Sequence, residues 1–295
     1  MSNRDFFNLI LLAAMWGASF LFMRVSVPEF GAVPMMTFRV LLAGLMLLPL
    51  VFIKRRQQVL KSNWKVIGFV GVINSAIPFT LIAYSTLYVT AGFASVLNAA
   101  TPIFASLVAL IWLGQRLSKL AAFGLLVGVF GVILLVWNKL DFSQNQSVLA
   151  IAAGLGGTLF YGIAANFSKQ KLVGIDSLSI AAGSLIGAGI FLLPFSIAYW
   201  PAEMPSMQAW INVSILSLAC TAYAQLIYFK LIESAGATNA TTVTFLIPMF
   251  GLLWGYLFLN EVFEVTTLIA TVVILLGTAM TTGLLQRFTA AKSTP

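Results

Sequence analysis

The sequence predicts an all-α integral membrane protein in which ten transmembrane helices form two inverted five-helix repeats. Three observations support this prediction. Apolar residues make up 60% of the 295 residues and charged residues 8%, whereas a soluble domain carries about 25% charged residues. The apolar residues form runs long enough to cross a bilayer. The second half of the chain also repeats unusual residues of the first, which indicates an internal duplication.

The ten predicted spans follow from the thickness of a bilayer. A hydrocarbon core of about 30 Å requires about 20 helical residues, so we divide the chain wherever charged or turn-forming residues interrupt an apolar run of that length. The first span is longer than the apolar core of a signal peptide, and we expect it to be retained. The predicted spans are Phe6 to Val27, Pro34 to Ile53, Val66 to Leu87, Gly92 to Leu113, Lys119 to Trp137, Val148 to Ser168, Ser177 to Tyr199, Ala209 to Ile232, Thr238 to Leu259 and Thr266 to Leu285.

The basic residues indicate how the spans are oriented. With the N-terminus in the cytoplasm, Arg24, Arg39 and Lys139 fall toward the outer side, and the remaining 13 of the 16 basic residues fall on the cytoplasmic side. Cytoplasmic loops of membrane proteins carry an excess of Lys and Arg, so this asymmetry predicts that both termini lie in the cytoplasm. The net charge of +8 therefore reflects orientation in the bilayer, and we expect no nucleic acid partner.

Comparison of the sequence with itself at an offset of about 145 residues aligns unusual residues. The aligned pairs are Gly44 with Gly189, Pro49 with Pro194, Tyr84 with Tyr228, Gly92 with Gly236, Pro102 with Pro248 and Gly131 with Gly277. Chance coincidence among 23 glycines and 10 prolines is the alternative. A duplication divides the chain into residues 1–142 and 143–295, with five spans each. Because five is odd, the second repeat is inverted, and inverted repeats can open a central site to either side in turn.

Four short motifs give the chain a family resemblance. They are WGASF at Trp16 to Phe20, TFRVLLAG at Thr37 to Gly44, LGQRLS at Leu113 to Ser118 and LNEVF at Leu259 to Phe263. With the five-plus-five arrangement, they resemble the EamA-type branch of the drug/metabolite transporter superfamily over nearly the whole chain. The resemblance implies a multi-pass exporter of small metabolites or toxic compounds in the bacterial inner (plasma) membrane. It also implies that spans one to four and six to nine surround a central cavity.

One position departs from the pattern of that family. The acidic residue that is common after the fourth span is Gln115 here, whereas its repeat counterpart Glu261 keeps the carboxylate. The sequence therefore does not supply both carboxylates for a role that requires the pair. Glu233, Glu261 and Glu264 fall at the ends of spans, where we expect them to be solvated.

The predicted substrate site lies at matching positions in spans four and nine. Helix breaks at Pro102 and Pro248 would free backbone carbonyls one turn earlier, near Asn98 and Thr244. Both faces are small and polar, so helix packing is the alternative interpretation. Ser95 and Thr241 lie on the same faces, and for them packing is the favoured interpretation.

Further candidate site residues place polar or aromatic groups in the middle of a span. An unpaired amide in hydrocarbon costs several kcal/mol, so these amides must face protein or a wet cavity. The aromatic candidates are too far from the span ends for an interfacial belt, and core packing is their alternative role. The candidates are Trp16, Asn74, Tyr84, Tyr161, Asn166, Tyr223 and Gln225.

Arg39 is the one basic residue predicted to lie well inside a span. It is either a structural anchor, which reaches the outer headgroups or pairs with Glu29, or a residue that gates the substrate. The position of Arg39 in the sequence is compatible with both roles.

The residues that are missing from the spans narrow the function. No Asp, Glu or His lies in the middle of a predicted span, so a buried proton relay is absent, and the site has no fixed charge. The favoured function is a secondary transporter that exports a small neutral, zwitterionic or amphipathic metabolite, amino-acid-like or drug-like, by alternating access. A flippase or scramblase for lipids or lipophilic compounds is the alternative.

Other classes of protein fit the composition less well. The chain has no His and a single cysteine, Cys220, so neither a Ser–His enzyme nor a His-ligated metal site can be assembled, and no nucleotide-binding loop motif occurs. We expect no enzyme activity, no cofactor and no metal. The expected partners are the lipid bilayer and a small-molecule substrate, and the expected state is a monomer or weak homodimer.

Overall fold

The fold is seen in a computed structural model, which describes residues 1–137 and 145–284. In these ranges the chain is helical and holds no strand, so the all-α prediction is confirmed. Ten helices coincide with the ten predicted spans. They are α1 (Asn3–Phe30), α2 (Ala32–Ile53), α3 (Trp64–Ser85), α4 (Ala91–Leu113), α5 (Lys119–Trp137), α6 (Asn145–Lys171), α7 (Ser177–Ala198), α8 (Met207–Ala235), α9 (Val243–Leu259) and α10 (Val265–Thr281).

Eight of these helices are long and apolar enough to cross a membrane, and α9 and α10 have 17 residues each. Two shorter helices, Gln57–Ser62 and Ala237–Ala240, precede α3 and α9. The predicted boundary between residues 142 and 143, the end of the tenth span at Leu285, and the basic residues Lys139, Arg287 and Lys292 lie outside the described residues.

Polar side chains and left-handed residues set the ends of the helices. The side chain of Ser206 accepts a hydrogen bond from the amide of Ala209 at the start of α8, and Thr90 accepts one from Phe93 at the start of α4. Gly114 ends α4 with φ +61°, and Asn260 ends α9 with φ +53°. These two residues are related by an offset of 146, so α4 and α9 end at equivalent positions.

The contacts between the two halves have the pattern of two-fold pseudo-symmetry. Helix α2 packs on α7, α4 on α9, and α5 on α10. The other main contacts form pairs that this pseudo-symmetry relates. The contact of α1 with α9 corresponds to that of α6 with α4, and the contact of α3 with α6 corresponds to that of α8 with α1. The contact of α3 with α7 corresponds to that of α8 with α2. Helices α5 and α10 pack mainly on each other, at the periphery of the bundle.

Two glycines bring the halves close together at equivalent crossings. A methyl group on Gly17 of α1 would overlap with Phe250 and the backbone of Gly251 in α9. A methyl group on Gly162 of α6 would overlap with the backbone of α4 at Phe104 and Ala105. Small residues permit such close approach of membrane helices. The crossings position the residues that precede these glycines at the centre of the bundle.

Candidate functional site

A central cavity of about 410 Å³ lies between the two halves. This volume is within the range of small-molecule sites, about 300 to 1,000 Å³. Helices α1 to α4, α6, α8 and α9 supply the lining, so the expectation that span seven also contributes is not met, because α7 packs behind α2. The lining residues are Trp16, Ser19, Phe20, Met23, Arg39, Asn74, Phe79, Ile82, Asn98, Ala99, Thr101, Pro102, Tyr161, Ala165, Cys220, Thr221, Gln225, Tyr228, Thr244, Ile247 and Pro248.

Two wide helical turns face the cavity at equivalent positions. Residues Val72–Ala76 of α3 and Leu218–Tyr223 of α8 form π-helical turns, and the two begin 146 residues apart. Such turns are rare and are frequent at functional sites. Asn74 lies in the first turn, and Cys220 and Thr221 lie in the second. Both turns thus aim side chains into the cavity from opposite halves.

Helix α4 is interrupted beside the cavity, as predicted. The helix breaks at Ala99 and Ala100, directly before Thr101 and Pro102. The hydroxyl of Thr101 donates a hydrogen bond to the carbonyl of Asn98 at 2.7 Å. The break therefore directly follows Asn98. The backbone carbonyl of Asn98 already has a hydrogen-bond partner in Thr101.

In the second half, the break lies one turn earlier than predicted. The helix is interrupted at Thr241 and Thr242, and Pro248 lies within the continuous helix α9, so Pro248 is not a helix break. The hydroxyl of Thr242 donates to the carbonyl of Asn239 at 2.6 Å, and that of Thr244 donates to Thr241 at 2.9 Å. Because these hydroxyls satisfy backbone carbonyls, they stabilise an interruption here.

Six of the predicted substrate-binding residues line the cavity together. Aromatic Trp16 and Tyr161 enter from α1 and α6 at equivalent positions. The Trp16 ring lies 5.3 Å from the ring of Tyr228, and the Tyr161 ring lies 6.2 Å from that of Phe79. The polar members of this group are Asn74, Asn98, Gln225 and Thr244. The lining is thus an aromatic wall with scattered amides and hydroxyls.

Three predicted residues lie elsewhere. The Tyr84 ring packs on that of Tyr88 at 5.5 Å, away from the cavity lining. The amide of Asn166 donates to the carbonyls of Ala105 and Gly162 at 2.8 and 2.9 Å, so it ties α6 to α4. Tyr223 is 49% exposed on the outside of the bundle. These three residues lie on predicted spans, as expected, but they do not face the cavity.

Arg39 lines the cavity as a buried positive charge, with 6% of its surface exposed. Its Nε donates to the hydroxyl of Thr221 at 3.0 Å, and its guanidinium carbon lies 3.9 Å from the centre of the Phe79 ring. The predicted pairing with Glu29 is wrong, because the Glu29 carboxylate accepts hydrogen bonds from the amide and hydroxyl of Ser206 at 2.6 and 3.0 Å. The expectation that the site has no fixed charge is also wrong.

Glu261 is buried, contrary to the expectation that it is solvated. Its two carboxylate oxygens accept hydrogen bonds from the amides of Ala91 and Gly92 at 2.7 and 3.0 Å. These amides belong to the first turn of α4, where the helix dipole favours a negative charge. The loop after α9 is thereby attached to the start of α4.

The two ends of the bundle differ in exposure. At one end, which we call the buried end, Ala91 to Leu97 of α4 are all buried around Glu261. At the opposite end, called the exposed end, the equivalent stretch before α9 has Ala237, Asn239 and Thr241 exposed. Ala165 of the cavity lining is exposed as well. The two halves therefore adopt different arrangements around a common cavity.

Several lining residues were not predicted from the sequence. Phe79, Cys220 and Thr221 belong to or follow the wide turns, for which the sequence offers no reliable signal. The sequence does contain a signal for Tyr228, because Tyr228 is the repeat counterpart of the candidate Tyr84. Ser19 and Met23 extend the face of α1 that begins with Trp16, at helical spacing of three and seven residues.

Many transporters are built from two related halves of membrane-crossing helices around a central cavity, and this chain has such an arrangement. The chain belongs to the EamA-like transporter family, because the sequence model of that family matches residues 6–137 and again residues 148–283. The chain is therefore a multi-pass membrane protein of a transporter family.

Individual relatives are distant but cover most of the chain. The chain is 24% identical over 260 residues to the uncharacterized transporter YvbV of Bacillus subtilis, which covers 86% of this chain and 83% of that protein. It is 23% identical over 262 residues to a probable terminal-alkyne amino-acid exporter of Streptantibioticus cattleyicolor, over 86% and 85% of the two chains. One crystal structure has the same fold, with a TM-score of 0.65, 16% identity and coverage of 98% of this chain and 99% of the other.

Proposed function

We propose that the protein is a secondary transporter that exports a small metabolite, amino-acid-like or drug-like, by alternating access around the central cavity. The observation that carries the proposal is the cavity itself, which lies between the halves and is lined by both. The halves 1–142 and 143–295 would act as inverted repeats in the bacterial inner membrane, with both termini in the cytoplasm. The name of the Streptantibioticus relative supports export of amino-acid-like compounds.

The difference between the two ends supports alternating access. In a carrier with inverted repeats, one end of the central site is closed while the other is open. The buried end around Glu261 and the exposed end before α9 have these properties. The opposite state would then bury the start of α9 and expose the start of α4. Transport would require no covalent chemistry and no cofactor, and the unit would be a monomer or weak homodimer.

A flux assay with purified protein in proteoliposomes tests this function. The compounds are a panel of amino acids and the lipophilic cation tetraphenylphosphonium, each with and without a pH gradient. Saturable flux of one compound supports a metabolite carrier. Transfer of a fluorescent phospholipid between leaflets, with no flux of the soluble compounds, would instead favour a flippase.

Two substitutions in the cavity test the site. We expect Asn98→Leu and Thr244→Val to reduce flux more than about tenfold, because each removes polar atoms from the cavity lining. Thr244→Val also removes the hydrogen bond from its hydroxyl to the Thr241 carbonyl. The Asn98 Oδ1 is buried without a hydrogen-bond partner within residues 1–137 and 145–284, so the loss of this oxygen breaks no hydrogen bond among them. Asn212→Leu is the matched control, since Asn212 lies outside the cavity lining and bonds Gln208. Unchanged flux in both cavity variants would refute the proposed site.

A further inference from the structure

We infer that Arg39 is the receptor for an anionic group of the substrate, so that the cavity takes carboxylates and zwitterions and rejects cations. The inference rests on the proposed transport function and narrows its substrate class. It reverses the expectation of an uncharged site, because the cavity has a fixed positive charge on one wall.

The guanidinium has more hydrogen-bond donors than its surroundings satisfy. A guanidinium carries five N–H donors and suits bidentate binding of a carboxylate. Nε donates to the Thr221 hydroxyl, but Nη1 has only the sulfurs of Met23 and Met36 as partners, at 3.7 and 3.9 Å. Thioether sulfur is a weak acceptor. The described residues that line the cavity include no carboxylate.

The surroundings of Arg39 hold its side chain in a fixed orientation. The Phe79 ring lies beneath the guanidinium at 3.9 Å, which is a cation–π contact. The Thr221 hydroxyl, in the wide turn of α8, accepts from Nε and donates onward to the carbonyl of Leu216 at 2.8 Å, two residues before that turn. A buried charge is costly unless it is paired. Arg39 is a preorganised charge with no carboxylate beside it in the described cavity lining, and an anionic substrate would supply the missing counter-charge.

The rest of the cavity indicates a single anionic group and a neutral or positive remainder. At the offset of 145 that relates α2 to α7, the counterpart of Arg39 is Ser184, whose hydroxyl donates to the carbonyl of Ala181. The charge is therefore present in one half only. Asn98 lines the cavity, and its buried Oδ1 has no hydrogen-bond partner among the described residues, so it can accept a hydrogen bond from an ammonium or amide group that reaches it. A zwitterion supplies a carboxylate for Arg39 and an ammonium group for Asn98. A cation supplies no negative charge for Arg39.

The test compares ligands that share a six-carbon chain and differ in charge. L-norleucine and hexanoate carry a carboxylate, whereas norleucinamide and hexylamine do not. Each is added to the purified protein, and binding is measured as the shift of the unfolding temperature and as competition in the proteoliposome flux assay. We expect the two carboxylates to bind at least about tenfold more tightly than the two cations. Equal or preferred binding of the cations to the unchanged protein would overturn the inference, as would the absence of carboxylate binding.

Variants of Arg39 separate recognition from structure. We expect Arg39→Gln to weaken carboxylate binding about a hundredfold, which corresponds to about 2.7 kcal/mol, and to abolish the preference over the amide. Arg39→Lys should keep the preference at reduced affinity, because the charge remains but the planar fork is lost. Thr221→Val keeps the charge and should retain the sign of the preference. A purely structural role would lower the stability of Arg39→Gln without changing the ratio between acid and amide.

Failure of this inference is distinguishable from failure of the transport function. If the protein transports a compound of the panel but Arg39→Gln keeps the acid-to-amide ratio, the function stands and the inference is wrong. If the unchanged protein transports nothing in sealed vesicles but still binds carboxylates with the expected preference, the proposed transport fails and the recognition by Arg39 stands.

Discussion

Two asparagines of the predicted site have opposite hydrogen-bonding environments. Both N–H groups of the Asn166 amide are used, by the carbonyls of Ala105 and Gly162, so this side chain joins α6 to α4. The Oδ1 of Asn98, a cavity-lining residue, is buried and has no partner in the part of the chain that the structure describes. An unsatisfied buried acceptor costs about 1–3 kcal/mol. At the scale of single residues, Asn166 therefore has a packing role, whereas Asn98 stays a candidate for substrate contact.

A pair of glycines on α6 offers a residue-scale prediction about the packing at the centre. We expect Gly162→Ala to lower the free energy of unfolding by about 1–3 kcal/mol, because the new methyl group would overlap with the backbone of α4 at Ala105. Gly156→Ala is the control, since its methyl group would lie 3.5 Å from Leu81 Cδ1, an ordinary contact. The measurement is the unfolding midpoint of both variants in detergent. Equal midpoints would show that the crossing tolerates a side chain.

At the scale of elements, the spans are predictable from sequence and their interruptions are not. Lipid requires long apolar helices, so the runs of apolar residues locate α1 to α10 within a few residues. The wide turns of α3 and α8 depend on packing between helices and have no residue signature. The environment of Arg39 depends on Thr221, a neighbour 182 residues away in sequence. Sequence patterns give the position of a residue along its helix but do not give such partners.

The attachment of Glu261 to α4 leads to a prediction at the same scale. The carboxylate binds the amides of Ala91 and Gly92 at the buried end, whereas its counterpart Gln115 carries no charge. We expect Glu261→Gln to increase hydrogen–deuterium exchange in the first turn of α4 about tenfold, because charged acceptors at a helix N-terminus contribute roughly 1 kcal/mol or more. Glu233→Gln, an exposed residue at the end of α8, is the control. Unchanged exchange in both variants would contradict a stabilising role for this contact.

At the scale of the whole molecule, two similar halves surround one asymmetric site. Each main helix contact has a counterpart that the pseudo-symmetry relates to it, and the wide turns of α3 and α8 start 146 residues apart. The differences are the charge of Arg39, the carboxylate of Glu261 and the position of the break before α9. Under the proposed alternating access, similar halves would make the two states nearly equivalent in packing, and these differences would give them different free energies.

The accessibility of Ala165 tests the central claim of alternating access most directly. Ala165 lines the cavity and is exposed, so Ala165→Cys in a Cys220→Ser background introduces one thiol into the site. Sealed vesicles of both orientations are treated with a membrane-impermeant thiol reagent while substrate is transported. We predict labelling from the cytoplasmic side at rest and from both sides during transport. Labelling from the same single side under both conditions would contradict a cavity that opens to each side in turn.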